Sequence, residues 1–293
     1  MDEQMVQDFW QNHACGDALV GGLKERFGGD YEKFFSDYDE FRYSLESHLP
    51  ACFDALHVKG KHVLEIGLGQ GADSESLIRR GALWSGVDLT AESVERVRTR
   101  LTLRDLPYED LRQGSVLSLP YDDGAFDMVF SHGVLHHVPE IRQAEKEIHR
   151  ILKPGGELVV MLYARWSLNY LVSIAAVRRA LLLAAYLPAR AGILKPSGGM
   201  LSGHLANARE QGLFHYLRLK EFTHHNTDGP ANPYALVYDR KKIEQDFPSF
   251  RVKRTYKRFM HAPPLPVHGL PGGQVLGWHL WAHLEPINVS GSS

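Results

Sequence analysis

Between residues 61 and 163, short apolar runs alternate with segments whose apolar residues recur every three or four positions. Uninterrupted apolar runs are typical of buried parallel strands, and the wider spacing is typical of helices with one buried face. Thr90 is placed to cap one such helix, with Val94, Val97 and Leu101 facing inward. The alternation predicts an α/β fold, a Rossmann-like doubly wound sheet.

A second helix is expected to open at Pro139, with its apolar residues inward, and to stop at residues 153–156. A strand should then occupy residues 158–163. Instead of another short loop and helix, some seventy residues intervene before Asp239, which can cap a helix carrying Ile243 and Phe247. The last two strands are expected near 250–256 and 275–284. This long insertion is where substrate selection is expected.

The residues that most clearly indicate a ligand-binding site follow the first apolar run. Residues 63–73 read Val-Leu-Glu-Ile-Gly-Leu-Gly-Gln-Gly-Ala-Asp, an apolar segment that breaks into alternating glycines. Glycines let a turn bring bare backbone against a ligand, and the following helix points its N-terminal amides at the same place. Asp88 ends the next apolar segment, at the distance expected of a ribose-binding carboxylate. These features predict a nucleoside-type ligand. Because Gly67, Gly69 and Ala72 also fit a loose dinucleotide fingerprint, the glycines alone leave a nicotinamide cofactor open.

Further segments follow in a fixed order: Gly-Ser-Val-Leu-Ser-Leu-Pro at 114–120, an apolar strand and Leu-His-His-Val at 126–138, and Leu-Lys-Pro-Gly-Gly at 152–156. With the glycine run, they resemble motifs of class I S-adenosylmethionine (SAM) dependent methyltransferases, particularly the type 11 and quinone-biosynthesis enzymes that act on small molecules. The resemblance implies a seven-stranded sheet with the last strand antiparallel. It also implies SAM as cofactor and S-adenosylhomocysteine as product.

The resemblance further implies roles for individual residues. Three glycines would turn against the methionine part of SAM, Glu65 would organise its amino group, and Asp88 would accept both ribose hydroxyls. Leu89 would pack on the adenine, with Ser115 and Val116 at its polar edge. Ser131 and His132 would begin the loop below the sulfonium. The cofactor-binding set is therefore Glu65, Gly67, Gly69, Gly71, Asp88, Leu89, Ser115, Val116, Ser131 and His132. Ser115 stands where the family usually has Asp, which weakens any contact there with the adenine amino group.

Methyl transfer by in-line displacement needs an aligned nucleophile and an acceptor for its proton, and it requires no metal. No metal site is therefore expected. Imidazole suits proton transfer at neutral pH, and His136 and His137 follow the fourth strand. A second polar cluster spans residues 224–234. The candidate catalytic residues are His137, His136, His224, Asp228 and Tyr43. A structural role for the His-His pair, and a self-satisfied loop for the second cluster, remain alternatives.

Composition narrows the remaining possibilities. The formal charge of −2 argues against a general polyanion binder, and a basic stretch at 240–258 leaves RNA as a lesser alternative. Two unpaired cysteines, Cys15 and Cys52, and a polar start without signal-peptide character predict a cytoplasmic location. The most apolar stretch, residues 170–187, contains Arg178 and Arg179, which favours a lid helix over a membrane span.

We therefore expect five segments: an N-terminal helical cap (1–60), a SAM-binding core (61–163), a lid insertion (164–238), a segment completing the sheet (239–285) and a tail (286–293). Cap and lid are expected to enclose the acceptor together, with Tyr43, His137, His224 and Asp228 in one chamber. The predicted function is a small-molecule methyltransferase. A SAM-binding protein without methyl transfer, or an RNA methyltransferase, are the alternatives. The oligomeric state and the acceptor atom stay open.

Overall fold

The computed structural model describes residues 3–13, 20–194 and 198–287. Cys15 and the tail beyond residue 287 lie outside the described residues. Seven strands are present in this part of the chain: β1 His62–Ile66, β2 Leu83–Asp88, β3 Asp110–Gln113, β4 Phe126–His132, β5 Leu152–Tyr163, β6 Phe250–Arg258 and β7 His279–Pro286.

The strands form one sheet in the order β3-β2-β1-β4-β5-β7-β6. Neighbours from β3 to β5 pair in parallel, and β7 pairs antiparallel with both β5 and β6. The predicted fold, with its antiparallel last strand, is confirmed. Because the order reverses between β1 and β4, a crevice opens at the carboxyl ends of these two strands.

Helices cover both faces of the sheet and form the two added segments. Those before and within the core are α1 Glu3–Asn12, α2 Leu23–Phe27, α3 Tyr31–Leu45, α4 Leu49–Asp54, α5 Ala72–Arg79, α6 Ala91–Leu103 and α7 Ile141–Ile151. After β5 come a π-helical stretch Asn169–Arg178, α8 Arg179–Arg190, α9 Gly199–Glu210, α10 Leu213–Tyr216, α11 Leu219–Thr227, α12 Arg240–Asp246 and α13 Gly273–Leu276.

Two predicted helix caps are confirmed. Thr90 accepts a hydrogen bond from the Ser93 amide at 3.4 Å, and Asp239 accepts one from the Lys242 amide at 2.9 Å. Such caps satisfy amides that have no partner within the helix. Both caps therefore follow from local sequence alone.

Three boundaries were wrong. Strand β5 begins at Leu152 rather than at residue 158. Helix α7 begins at Ile141, with Glu140 rather than Pro139 at its N-cap. Strand β7 begins at His279, because Gly273–Leu276 forms a short helix where the strand was expected to start. Helix and strand compete closely for a short apolar run next to glycines, and here tertiary contacts select the helix.

The insertion after β5 folds into helices with a small apolar core of their own. Tyr216, Phe222, Ile174 and Leu182 are buried together there, and Tyr163 and Trp278 from the sheet pack against them. The insertion is thereby attached to the ends of β5 and β7. It lies beside the crevice rather than on the opposite edge of the sheet.

Candidate active site

A cavity lies at the carboxyl ends of β1, β2 and β4. The glycine turn after β1, Asp88 at the end of β2, and the β4 loop form its walls. The crevice that the sheet topology creates is therefore the candidate site.

The turn after β1 needs glycine at its first position. Gly67 has φ +80°, and a Cβ there would lie 2.2 Å from Cγ2 of Val134. Gly69 and Gly71 also have positive φ, at +52° and +77°. Gly67 and Gly69 line the cavity, while Gly71 caps helix α5 behind them. The turn thus exposes backbone to the cavity, as the sequence pattern indicated.

Asp88 holds the turn from the neighbouring strand. Its Oδ2 accepts the Leu68 amide at 2.7 Å, and its Oδ1 accepts the Thr90 amide and hydroxyl at 2.8 Å each. Burial raises the pKa of Asp88, and these donated hydrogen bonds oppose that shift. Asp88 also lines the cavity, which places its carboxylate next to any ligand hydroxyl bound there.

Next to Asp88, helix α1 closes the cavity over Leu89, Gly114 and Val116. Gln7 donates to the Leu89 carbonyl at 3.0 Å, and the Ser115 hydroxyl donates to Glu3. Ser115 is consequently turned toward α1 and does not line the cavity. The sequence motifs gave no sign of α1, although Val6 and Trp10 from it form part of the wall. Their four-residue spacing, with Phe9 between them, was the available signal of a helix with one apolar face.

A buried ionic cluster forms the floor near β4. Arg42 from α3 donates to Asp73 at 2.7 and 3.0 Å, and His132 Nδ1 lies 2.6 Å from the same carboxylate. Burial opposes ionisation of Asp73, but Arg42 and His132 outweigh it and lower its pKa to about 2. All three residues line the cavity. Asp73 and Arg42 were not among the predicted site residues. The sequence feature that could have indicated Asp73 is its position at the end of the glycine run.

Two predicted cofactor residues face elsewhere. Glu65 accepts the Trp84 indole N–H at 2.8 Å, and burial raises the pKa of Glu65 to about 8. The Ser131 hydroxyl donates to the Ile66 carbonyl at 3.0 Å. Neither residue lines the cavity. Their hydrogen bonds instead connect neighbouring strands of the sheet.

His137 lies at the cavity wall in a 3₁₀ turn, Leu135–His137, after β4. Its Nδ1 is 2.6 Å from the Tyr234 carbonyl oxygen, and Trp10 packs edge-on against its ring. A carbonyl only accepts, so Nδ1 carries a proton, and Nε2 is the ring nitrogen at which a second proton can be gained or lost. That Nε2 is buried and faces the insertion. The ring is therefore held in a fixed orientation at the cavity wall.

Asp228, from the insertion, comes close to this ring. Its Oδ2 is 3.3 Å from His137 Nε2, and its Oδ1 accepts the Tyr163 hydroxyl at 2.7 Å. Burial opposes ionisation of Asp228, but His137 and these hydrogen bonds lower its pKa. The two polar clusters of the sequence, some ninety residues apart, thus meet here.

Of the five candidate catalytic residues, His137 lines the cavity and the other four do not, so the expected chamber shared by Tyr43, His137, His224 and Asp228 is not formed. His136 is fully buried, neither ring nitrogen has a partner among the described residues, and burial lowers its pKa well below the ordinary value. His224 Nδ1 lies 2.8 Å from the Ala235 carbonyl oxygen, and its ring stacks on Tyr234, which orders the loop that carries Asp228. The Tyr43 hydroxyl donates to the Ala72 carbonyl at 3.4 Å, and burial raises the pKa of Tyr43 to about 12.

One group within the described part of the chain could hold a metal ion. His136, His137 and Asp228 each offer a ligand atom, and these atoms lie within 4.8 Å of one another. Two imidazoles and a carboxylate are a common donor set for zinc. The same atoms also suit proton transfer. A test of metal dependence is therefore needed to distinguish a metal site from a general base.

Comparison with known sequences finds proteins similar to the core segment of this chain. Residues 64–160 match the family described as a methyltransferase domain. A fatty-acid O-methyltransferase of Mycolicibacterium smegmatis is 34% identical over 117 residues, 39% of this chain and 41% of that protein. A ubiquinone biosynthesis O-methyltransferase of Coxiella burnetii is 32% identical over 117 residues, 40% of this chain and 50% of that protein. The chain spans at most half the length of these relatives.

Comparison of structures extends the likeness to most of the fold. A SAM-dependent methyltransferase from Aquifex aeolicus superposes with a TM-score of 0.52, covering 88% of this chain and 99% of the other at 13% identity. At that identity, the likeness describes the fold alone.

Proposed function

We propose that this protein transfers a methyl group from SAM to a small-molecule acceptor, because residues 64–160 match a methyltransferase-domain family. SAM would supply the methyl group from its electrophilic sulfonium. The observation that carries the proposal is His137, which lines the cavity while its Nδ1 is held by the Tyr234 carbonyl and its Nε2 lies 3.3 Å from Asp228.

The residues around the cavity fit such a cofactor. Asp88 lines the cavity where ribose hydroxyls would lie, Leu89 and Val116 offer an apolar slot for adenine, and the turn at Gly67 and Gly69 exposes backbone to the methionine part. Asp73 lines the cavity as a carboxylate with a depressed pKa. It therefore replaces Glu65 in our proposal as the group that meets the cofactor's amino group.

His137 would accept the proton that the acceptor releases. Uptake of a proton on Nε2 makes an imidazolium that faces Asp228 at 3.3 Å, and opposite charges at this distance stabilise each other. Asp228 is itself positioned by Tyr163 and by the loop that His224 orders. In this proposal His137 touches the acceptor, whereas Asp228 and His224 position it.

Several observations support a small molecule over RNA. Three of the eight basic residues at 240–258 are paired with carboxylates at 2.7 to 2.9 Å, namely Arg240 with Glu244, Lys242 with Asp246 and Arg251 with Glu285. The two named relatives are both O-methyltransferases, which makes a hydroxyl or carboxyl oxygen the first acceptor to test.

We propose a cytoplasmic location.

The test is incubation with methyl-labelled SAM and fractionated cell extract. Label in a small organic product is the expected result. Label in RNA, or SAM binding without any transfer, would overturn the proposal in favour of RNA methylation or of SAM binding for another purpose.

The base is tested with a matched pair of variants on the product-forming reaction. His137→Gln should lower kcat by about 100-fold or more, because general-base assistance typically contributes 10² to 10⁴. His136→Gln changes the neighbouring ring, which lies outside the cavity, and should lower kcat far less. Equal losses in the two variants, with SAM affinity kept, would contradict the assignment.

A further inference from the structure

The insertion after β5 exposes an unusual amount of apolar surface. Ten of the eighteen large hydrophobic side chains that are exposed in the described structure fall between residues 166 and 214. Leu187 is 69% exposed, Ile193 82% and Phe214 84%. Isolated exposed hydrophobic residues are common, but such a concentration marks an interaction surface.

One helix provides much of this surface. Residues 169–190 form the one helix in the described ranges that is long and apolar enough to cross a membrane, with a mean hydropathy of 1.6. Of its most apolar 18 residues, 17% are buried inside the protein. Its inner side is nevertheless fixed to the protein. Ile174 and Leu182 are buried, and Arg178 donates to the Pro263 and Asn226 carbonyls at 2.8 and 2.7 Å. The helix therefore lies along the protein with its outer side open.

Charge distinguishes this segment from the rest of the chain. Residues 164–238 hold eight lysines and arginines but three carboxylates, although the whole chain carries −2. Arg190, Arg209, Arg218 and Lys220 are exposed, and none forms an ion pair within the part of the chain that the structure describes. The insertion is thus both apolar and cationic at its surface.

The charges border the apolar residues directly. Leu183, Leu187 and Arg190 follow each other at helical spacing and share one side of α8. Arg209 from α9 donates to the Ala189 carbonyl at 3.1 Å, which places a second guanidinium beside the end of α8. Apolar side chains rimmed by arginines are typical of helices that lie in the interface of an anionic bilayer.

We propose that the outer side of residues 166–194 and 198–214, here named the insertion face, binds the surface of an anionic phospholipid bilayer. Its apolar side chains would enter the acyl boundary while its arginines meet lipid phosphates. A second copy of the chain fits this surface less well, because two such faces would bring like charges together. The inference goes beyond methyl transfer, since no residue of the insertion face lines the cavity.

Sedimentation with vesicles tests the proposal. The purified chain should sediment with vesicles of phosphatidylcholine and phosphatidylglycerol, weakly with phosphatidylcholine alone, and less at high salt. Arg190→Gln should weaken binding by about fivefold, the effect expected of one basic residue near an anionic surface. Leu187→Ser combined with Phe214→Ser should weaken it by about tenfold or more.

Leu103→Ser is the matched control, because Leu103 is 47% exposed on α6, away from the insertion. It should leave vesicle binding unchanged. Unaltered thermal unfolding and SAM affinity in every variant would show that the fold is kept, so the outcome does not depend on the proposed activity.

Two results would overturn the inference. One is a chain that stays in the supernatant with anionic vesicles. The other is a solution dimer, seen by light scattering, that the Leu187→Ser and Phe214→Ser changes dissociate while vesicle binding is absent in both forms. That second result would assign the insertion face to self-association.

Discussion

Replacing Asp88 by alanine gives the sharpest test of the cofactor site. The carboxylate accepts the amides of Leu68 and Thr90 at 2.7 and 2.8 Å and lines the cavity. Its loss should therefore have two separable effects. The turn loses its acceptor for backbone amides, which lowers the free energy of unfolding, and SAM loses its ribose contact.

The expected change in SAM affinity follows from one hydrogen bond to a charged group. Such bonds contribute about 1.5–3 kcal/mol, so the Kd for SAM should rise about 10- to 150-fold. Asp88→Asn retains one carbonyl oxygen and should fall between the wild type and Asp88→Ala. Isothermal titration with SAM and S-adenosylhomocysteine measures both.

Asp127 supplies a control at the amino end of β4. It accepts the His62 amide at 2.9 Å and pairs with Lys153 at 2.9 Å, so its replacement also removes a carboxylate acceptor of a backbone amide, here a partly exposed one. Asp127→Ala should lower stability in urea without changing SAM affinity. The ribose assignment fails if Asp88→Ala binds SAM within threefold of wild type, or if Asp127→Ala loses affinity to the same extent.

Three further outcomes are expected. Gly67→Ala should lower the free energy of unfolding, measured in urea, by about 2–5 kcal/mol, because of the positive φ and the contact with Val134. Gly155→Ala is the control: it has φ +77° but open space around it, and should cost about 1–2 kcal/mol. Equal losses of stability in the two variants would contradict the close approach of Val134 to Gly67. The raised pKa of Glu65 means that its contribution to stability is present below its unfolded pKa and lost as pH rises toward about 8. Glu65→Gln should therefore flatten the fall in stability between pH 5 and 8, by up to about 1.4 kcal/mol per pH unit, and an unchanged slope in urea titrations would refute this. Turnover should survive EDTA, because in-line transfer uses His137 as a base, and loss that zinc restores would assign His136, His137 and Asp228 to a metal instead.

The parts of the site that sequence predicted are those that depend on local geometry. A strand that ends in spaced glycines can form only a few kinds of turn, so Gly67 and the position of Asp88 followed from pattern. The reversal of strand order that creates the crevice followed from the strand-helix alternation, since parallel strands need crossovers.

The parts that sequence missed depend on contacts between distant segments. Trp10 and Val6 reach the cavity because α1 crosses it, which no local motif encodes. Glu65 follows the family pattern in sequence, yet its side chain accepts the Trp84 indole N–H. That partner comes from the neighbouring strand, and its choice depends on three-dimensional packing. The meeting of His137 with Asp228 likewise depends on how the insertion packs.

The ionic cluster below the cavity indicates which element controls entry to it. Arg42 joins α3 to Asp73 and His132, and separating a buried charge from its partners costs several kcal/mol. Helix α3 is therefore held to the strand ends. The contacts of helix α1 across the cavity include hydrogen bonds from Gln7 to the Leu89 carbonyl and between Glu3 and Ser115. Single hydrogen bonds contribute about 0.5–3 kcal/mol each, less than the cost of separating a buried charge from its partners. Of the two N-terminal elements over the cavity, α1 is the one whose displacement would open it at the lower free-energy cost.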